Sequence, residues 1–140
     1  MPGADAPLLL DTHAFVWAMT APERLAAPTR AAIEQPRRAV LLSTASIWEI
    51  AIKVGRGRWA EASALLDDLD AILRRANIAP LPIGPAHARL AGRLRWDHRD
   101  PFDRMLAAQA IIEGATLVTA DPAFSTIPDG TCFAALWDGA

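Results

Sequence analysis

The chain has 140 residues, 52% apolar and 21% charged, with a formal net charge of −2, so it reads as one domain, 1–140, too short for two. Its prolines and glycines are spread along the sequence, and the apolar fraction excludes disordered and collagen-like classes. The single Cys132 supplies neither a disulfide nor a zinc cluster, and a domain of this size can bury enough surface to need neither. The start, MPGADAPLLLD, lacks a basic segment and its leucine run is cut by Asp11, which is not a signal peptide. No apolar stretch approaches the ~20 residues of a membrane span. The expectation is a cytoplasmic protein with no membrane partner. The slight acidity counts against nonspecific coating of nucleic acid, which needs a strongly basic face.

Short Leu- and Val-rich runs alternate with longer helical patterns, the signature of a parallel sheet covered by helices on both faces. The first strand is 7–10 and closes on Asp11. A helix is expected over 22–34, ended by Pro36. A second strand at 39–42 leads through Ser43 or Thr44, either a fit N-cap, into a helix from 45 to 54 that stops at Gly55 and Gly57. From Ala62 to Ala76, Leu65, Leu66, Leu69, Ile72 and Leu73 repeat at helical spacing opposite Asp67, Asp68, Asp70, Arg74 and Arg75, which predicts one amphipathic helix. Residues 78–83 form an edge strand or connector, because Pro80 and Pro82 cannot donate to a ladder. Pro85 opens a helix with His87, Leu90, Ala91 and Leu94 on its apolar stripe. Asp100 and Pro101 start another, which runs to about Glu113 and ends at Gly114. A buried strand follows at 116–119, and 132–137 reads as a last edge strand.

In an open parallel sheet, ligands bind outside the carboxyl ends of the strands. Asp11 and Asp121 each follow a strand directly, while Glu49 and Asp103 lie near the starts of helices that begin at the same edge. Each has an ordinary alternative. Asp11 and Asp121 suit turns or caps, and Glu49 sits four residues before Lys53 in an ion-pairing arrangement. Asp103 fits such an alternative least, because it lies over Leu106, Ala107 and Ala110, where an unpaired charge is costly and something positive should meet it. Asp100 is accounted for as the cap of its own helix. Together, four carboxylates without a neighbouring Cys or His ladder specify a hard cation, Mg²⁺ or Mn²⁺, and such a site suits phosphodiester chemistry. With those four acids set aside, fourteen basic residues face twelve acidic ones. Arg56, Arg58, Arg95, Arg99 and Arg104 are candidates for phosphate contacts and Trp59 and Trp96 for base stacking; the ordinary reading, which each taken singly favours, is solvated surface for the arginines and half-buried core for the tryptophans. His13 and His98 are candidates for proton transfer; His87 reads as packing.

The segments LLLDTHAFVW (8–17), STASIWEIAIK (43–53), HRDPFDRMLAAQA (98–110) and TLVTADPAF (116–124) together resemble the successive motifs of PIN-domain ribonucleases of the VapC toxin type, over about residues 7–137. The resemblance places the family's acids on Asp11, Glu49, Asp103 and Asp121, with the small hydroxyl residues Thr12, Ser43 and Thr119 beside them. It implies a three-layer α/β/α sandwich around a mainly parallel sheet and Mg²⁺- or Mn²⁺-dependent cleavage of RNA. It also implies a VapB-like antitoxin lying in a groove walled by helices at 22–34 and 45–76, and a homodimer. Two other classes stay in view: a non-catalytic PIN-like interaction module, which would be expected to lose at least one acid, and a phosphatase of the haloacid dehalogenase type. The second needs another Asp two residues after the first, where His13 stands.

Overall fold

Three consecutive leucines, Leu8–Leu10, form the central strand β1 and are wholly buried. In the computed structural model, which describes residues 5–128 and 133–137, β1 is flanked by β2 (Val40–Ser43) and β4 (Thr116–Val118), with β3 (Ile78–Leu81) and β5 (Ala134–Leu136) at the edges. The order is β3-β2-β1-β4-β5 and every pairing is parallel. Leu9 faces Leu41 on one side and Leu117 on the other. Side chains of a strand alternate between faces, so the same run of leucines feeds two cores. Leu8 and Leu10 join Phe15, Leu42, Ile50, Leu65 and Val118 on one face, while Leu9 joins Trp96, Leu106, Leu117 and Phe124 on the other. This is the expected three-layer α/β/α arrangement, with the described sheet wholly parallel.

Around the sheet lie α1 (Thr12–Thr20), α2 (Ala27–Glu34), α3 (Thr44–Gly55), α4 (Ala60–Asp67), α5 (Leu69–Ala76), α6 (Pro85–Arg93) and α7 (Pro101–Glu113). No sequence expectation covered α1; its start is signalled by Asp11, whose carboxylate caps the helix by accepting from the Ala14 N–H at 2.7 Å. The helix expected over 22–34 is divided. A 3₁₀ turn spans Pro22–Arg24, Leu25 and Ala26 are extended, and α2 starts afresh at Ala27. Pro28 explains the break, since a residue without an N–H is tolerated only in a first turn. The helix expected over 62–76 is also two, interrupted at Asp68, whose backbone is not helical. Both halves bury leucines in the same core, Leu65 and Leu73, so the apolar spacing reported a shared buried face and not helix continuity.

The edge strand with Pro80 forms as expected but ends at Leu81, and Gly114 stops α7 at φ +63°, a left-handed conformation that suits glycine. Cys132 and the expected start of the last strand lie outside the described residues. Among the described residues no helix is long and apolar enough to cross a membrane.

Candidate active site

The chain steps from β1 to β2 and β3 on one side and returns to β4 on the other, which opens a crevice beyond the carboxyl ends of β1 and β4. Asp11 leaves β1 there and Asp121 follows β4. Glu49 reaches the crevice from α3, whose N-cap Ser43 ends β2 and accepts from the Ala45 N–H at 3.0 Å. Asp103 reaches it from the first turn of α7, where Asp100 accepts from the N–H groups of Phe102 and Asp103 at 2.9 and 3.1 Å. A cavity of about 180 Å³ results, lined by Asp11, Thr12, His13, Glu49, Lys53, Asp100, Asp103, Leu106 and Asp121. The fold therefore gathers all four sequence-predicted acids, and adds the capping Asp100 as a fifth carboxylate.

These carboxylates occupy unequal environments. Asp11 is 9% exposed, and burial, reinforced by the charge of Glu49, raises its pKa against the opposing effects of hydrogen bonds from Thr119 and Ala14 and the charge of His13. Glu49 is half-buried and held from two sides: the Thr12 hydroxyl donates to Oε1 at 2.6 Å and Lys53 Nζ lies 3.3 Å from Oε2. Ser46 Oγ stands 3.0 Å from the same Thr12 oxygen. Asp103 has its pKa pushed up from 3.8 to about 6, chiefly by burial, with the charges of Asp100 and Asp121 adding to the rise and His98 opposing it. Asp121 is exposed; its carboxylate accepts from the Ala123 N–H at 2.9 Å, and its own N–H donates to Thr119 Oγ1 at 3.0 Å.

Five carboxylates thus face one small space with Lys53 as the only lysine of the chain beside them. Among the described residues no three His, Cys, Asp or Glu side chains are drawn into a finished metal-ligand group. The donor set nonetheless fits a hard divalent cation. All the acids offer oxygen, and the raised pKa values of Asp11 and Asp103, caused by burial and by neighbouring carboxylates, mark negative charge that a cation would stabilise.

A family model described as the PIN domain matches residues 8–130. The chain belongs to the PIN-domain family. Solved structures share its fold. The VapBC2 complex of Rickettsia felis bound to a promoter DNA fragment matches with a TM-score of 0.68 and 21% identity over 94% of this chain and 98% of that one. DNA-bound VapBC of Salmonella typhimurium matches with a TM-score of 0.63 and 19% identity, covering 93% and 98% of the two chains. VapBC-5 of Mycobacterium tuberculosis gives 0.62 and 20%, over 94% and 98%. No curated protein sequence matches.

Within this PIN domain several sequence candidates take other work. Arg104 is no phosphate ligand in waiting: its guanidinium is spent on main-chain carbonyls. Trp59 and Trp96 are 8% and 7% exposed, so they are core residues, although Trp59 still lies under His13 with ring centres 4.9 Å apart. Arg56, Arg58, Arg95 and Arg99 are exposed and do not line the cavity. His87 is buried in a hydrogen-bonded role beyond mere packing: Nδ1 accepts from the Gly84 N–H and Nε2 meets Glu113 Oε2, both at 2.9 Å. The partner that meets Asp103 is His98, with Nε2 2.7 Å from Oδ2. Thr12 as the anchor of Glu49 was visible in sequence only as a small hydroxyl residue next to an acid.

Proposed function

We propose that this PIN-domain protein is the toxin of a type II toxin–antitoxin system, a Mg²⁺- or Mn²⁺-dependent endoribonuclease that hydrolyses RNA phosphodiester bonds to leave 5′-phosphate and 3′-hydroxyl ends. The observation that carries the reading is the convergence of Asp11, Glu49, Asp103 and Asp121, from four separate segments, on one cavity at the carboxyl edge of the sheet. The family supplies nuclease chemistry as context, and the solved structures of like fold are VapBC toxin–antitoxin complexes.

In this reading the four acids hold one or two cations. A divalent ion bound there would lower the pKa of a water and offset charge on the phosphate undergoing in-line displacement. The protein's own groups prepare for that. Thr12 and Lys53 pin both oxygens of Glu49, so little side-chain freedom is lost when a ligand arrives. Lys53, 36% exposed, presents an ammonium to the anionic backbone of RNA, and His13 stands exposed at the rim. The net charge of the chain is thereby no obstacle to an RNA partner, because the cation supplies positive charge locally.

The antitoxin partner has a suitable cleft. An apolar hollow of about 170 Å³ lies between α1, α2 and the end of α5, lined by Met19, Leu25, Ile33 and Ala76 with Arg30 and Glu34 at its polar side. A homodimer would use a different face, on α3, where Trp48 is 62% exposed and packs edge-on against Phe102 beside Ile83.

Cleavage of RNA by the purified protein is expected to stop with EDTA, to return with Mg²⁺ or Mn²⁺, and to be lost in Asp11→Asn. Cleavage that survives chelation would overturn the mechanism. A folded protein showing no thermal stabilisation by Mn²⁺ would favour the non-catalytic interaction module instead.

A further inference from the structure

Between α6 and α7 the chain passes through residues 94–100 without regular secondary structure, and the carbonyls of such a segment need donors. Arg104 supplies them. Its Nε donates to the Ala91 carbonyl at 2.9 Å, Nη2 to Leu94 at 2.7 Å, and Nη1 to both Trp96 at 2.7 Å and His98 at 3.0 Å. Four of the five guanidinium N–H groups are thus committed to main chain. Ala91 and Leu94 belong to the carboxyl end of α6, where the helix dipole favours a cation.

The segment is also fastened from beneath. Trp96 is buried, its Nε1–H donates to Thr126 Oγ1 at 2.8 Å, and its ring packs against Phe124 with centres 5.6 Å apart. The imidazole of His98 also lies against that indole, 4.7 Å away and tilted by 33°. His98 therefore has its carbonyl tied by Arg104 and its ring supported by Trp96. From that fixed position Nε2 stands 2.7 Å from Oδ2 of Asp103. An ionised carboxylate only accepts, so Nε2 carries the hydrogen. The bond engages Oδ2, leaving Oδ1 outside it, and Asp103 is one of the residues lining the acidic cavity.

We propose that Arg104, Trp96 and His98 form a positioning strap whose purpose is to hold Asp103 in one orientation, with Oδ2 bonded to His98 and Oδ1 presented to a cation in the cavity. Arg104 and Asp103 are adjacent in the sequence, so the strap is built by the helix that carries the acid it aims. Of its three members, His98 alone touches the acid. None of the three is a catalytic residue; each acts through Asp103. The proposal rests on the reading that Asp103 is a cation ligand.

The test compares His98→Gln, which keeps an N–H donor at the reach of Nε2, with His98→Phe, which keeps a ring on Trp96 but no donor. Melting in EDTA establishes that both fold, and Mn²⁺ binding is measured by calorimetry. An outer partner of a metal ligand typically contributes 10- to 100-fold in affinity, so His98→Phe is expected to weaken Mn²⁺ binding by about that factor, with His98→Gln within about threefold of wild type. Equal weakening by both, or full affinity in His98→Phe, would overturn the strap's role. A wild type that binds no Mn²⁺ overturns the metal-site reading instead. In that event the metal-free protein still decides the geometry: the His98 Nε2–H gives a downfield, exchange-protected proton signal that vanishes in Asp103→Ala, and its absence from the wild type refutes the orientation.

Discussion

Asp103→Asn is expected to make the metal-free protein more stable at pH 8 while removing its response to metal. In the folded chain the Asp103 carboxyl has its pKa raised from 3.8 to about 6, mainly by burial. The folded state therefore holds a proton that the unfolded state releases more readily, and stability contributed by this group falls as pH rises from ~4 to ~6. Above that window the full displacement is worth about 3 kcal/mol at roughly 1.4 kcal/mol per pH unit. The side chain is 24% exposed, and solvent screening together with the His98 bond reduces the usable figure to about 1–2 kcal/mol. An asparagine carries no charge to desolvate and should recover that amount, a rise in melting temperature of about 3–8 °C for a domain of this size. The assay is thermal unfolding in EDTA at pH 8 and pH 5. At pH 5 the wild-type group is already largely protonated, so about half of the gain should remain. Mn²⁺ added at pH 8 should then stabilise the wild type and leave Asp103→Asn little changed. A variant that melts at or below the wild type in EDTA at pH 8, or that gains equally at both pH values, would refute the electrostatic reasoning.

Other substitutions separate the remaining contributions. Arg104→Met removes four donors from main-chain carbonyls and should cost about 2–4 kcal/mol in chemical denaturation, since the stranded acceptors lose their partners; a cost under ~1 kcal/mol would show that water replaces the guanidinium. Thr12→Val withdraws the 2.6 Å bond to Glu49 and is expected to weaken Mn²⁺ binding by about tenfold without unfolding the protein, an outcome checked by calorimetry. Trp48→Glu places a charge on the most exposed large apolar residue among the described residues and should convert a dimer to a monomer by light scattering; a wild type that is already monomeric rules out that use of the face. Gly114→Ala meets no atom within 4 Å but must adopt φ +63°, so backbone strain alone should cost about 1 kcal/mol.

The sheet was the most legible part of the sequence because buried parallel strands are continuous apolar runs: Leu8–Leu10, Leu41–Leu42 and Leu117–Val118 needed no periodicity to be seen. Helix boundaries were harder. Pro28 and Asp68 each break a pattern whose apolar spacing continues past them, because that spacing reports which face is buried. The acids were legible as a set, since Asp11 and Asp121 lie just past the ends of strands and Glu49 and Asp103 within the first two turns of helices that begin at the same edge, and topology then places them together. Their supporting partners were not. The bonds of Thr12 to Glu49 across 37 residues and of Trp96 to Thr126 across 30 join segments whose approach depends on packing that no local pattern encodes. Arg104 misled for a related reason: a guanidinium beside acids suggests an anion ligand, and only the path of the α6–α7 connection reveals carbonyls that absorb it.

The pairing of Lys53 with Glu49 has a chemical corollary. Because the chain contains a single lysine, amine-directed reagents have one side-chain target besides the α-amino group, and it lies on the wall of the acidic cavity. An acyl group there would erase the ammonium that answers Glu49 at 3.3 Å and leave five carboxylates with no lysine among them. A single side-chain label, placed without any engineered handle, therefore reports on the cavity itself, and the rate at which Lys53 is acylated becomes a direct gauge of whatever fills the space beside it.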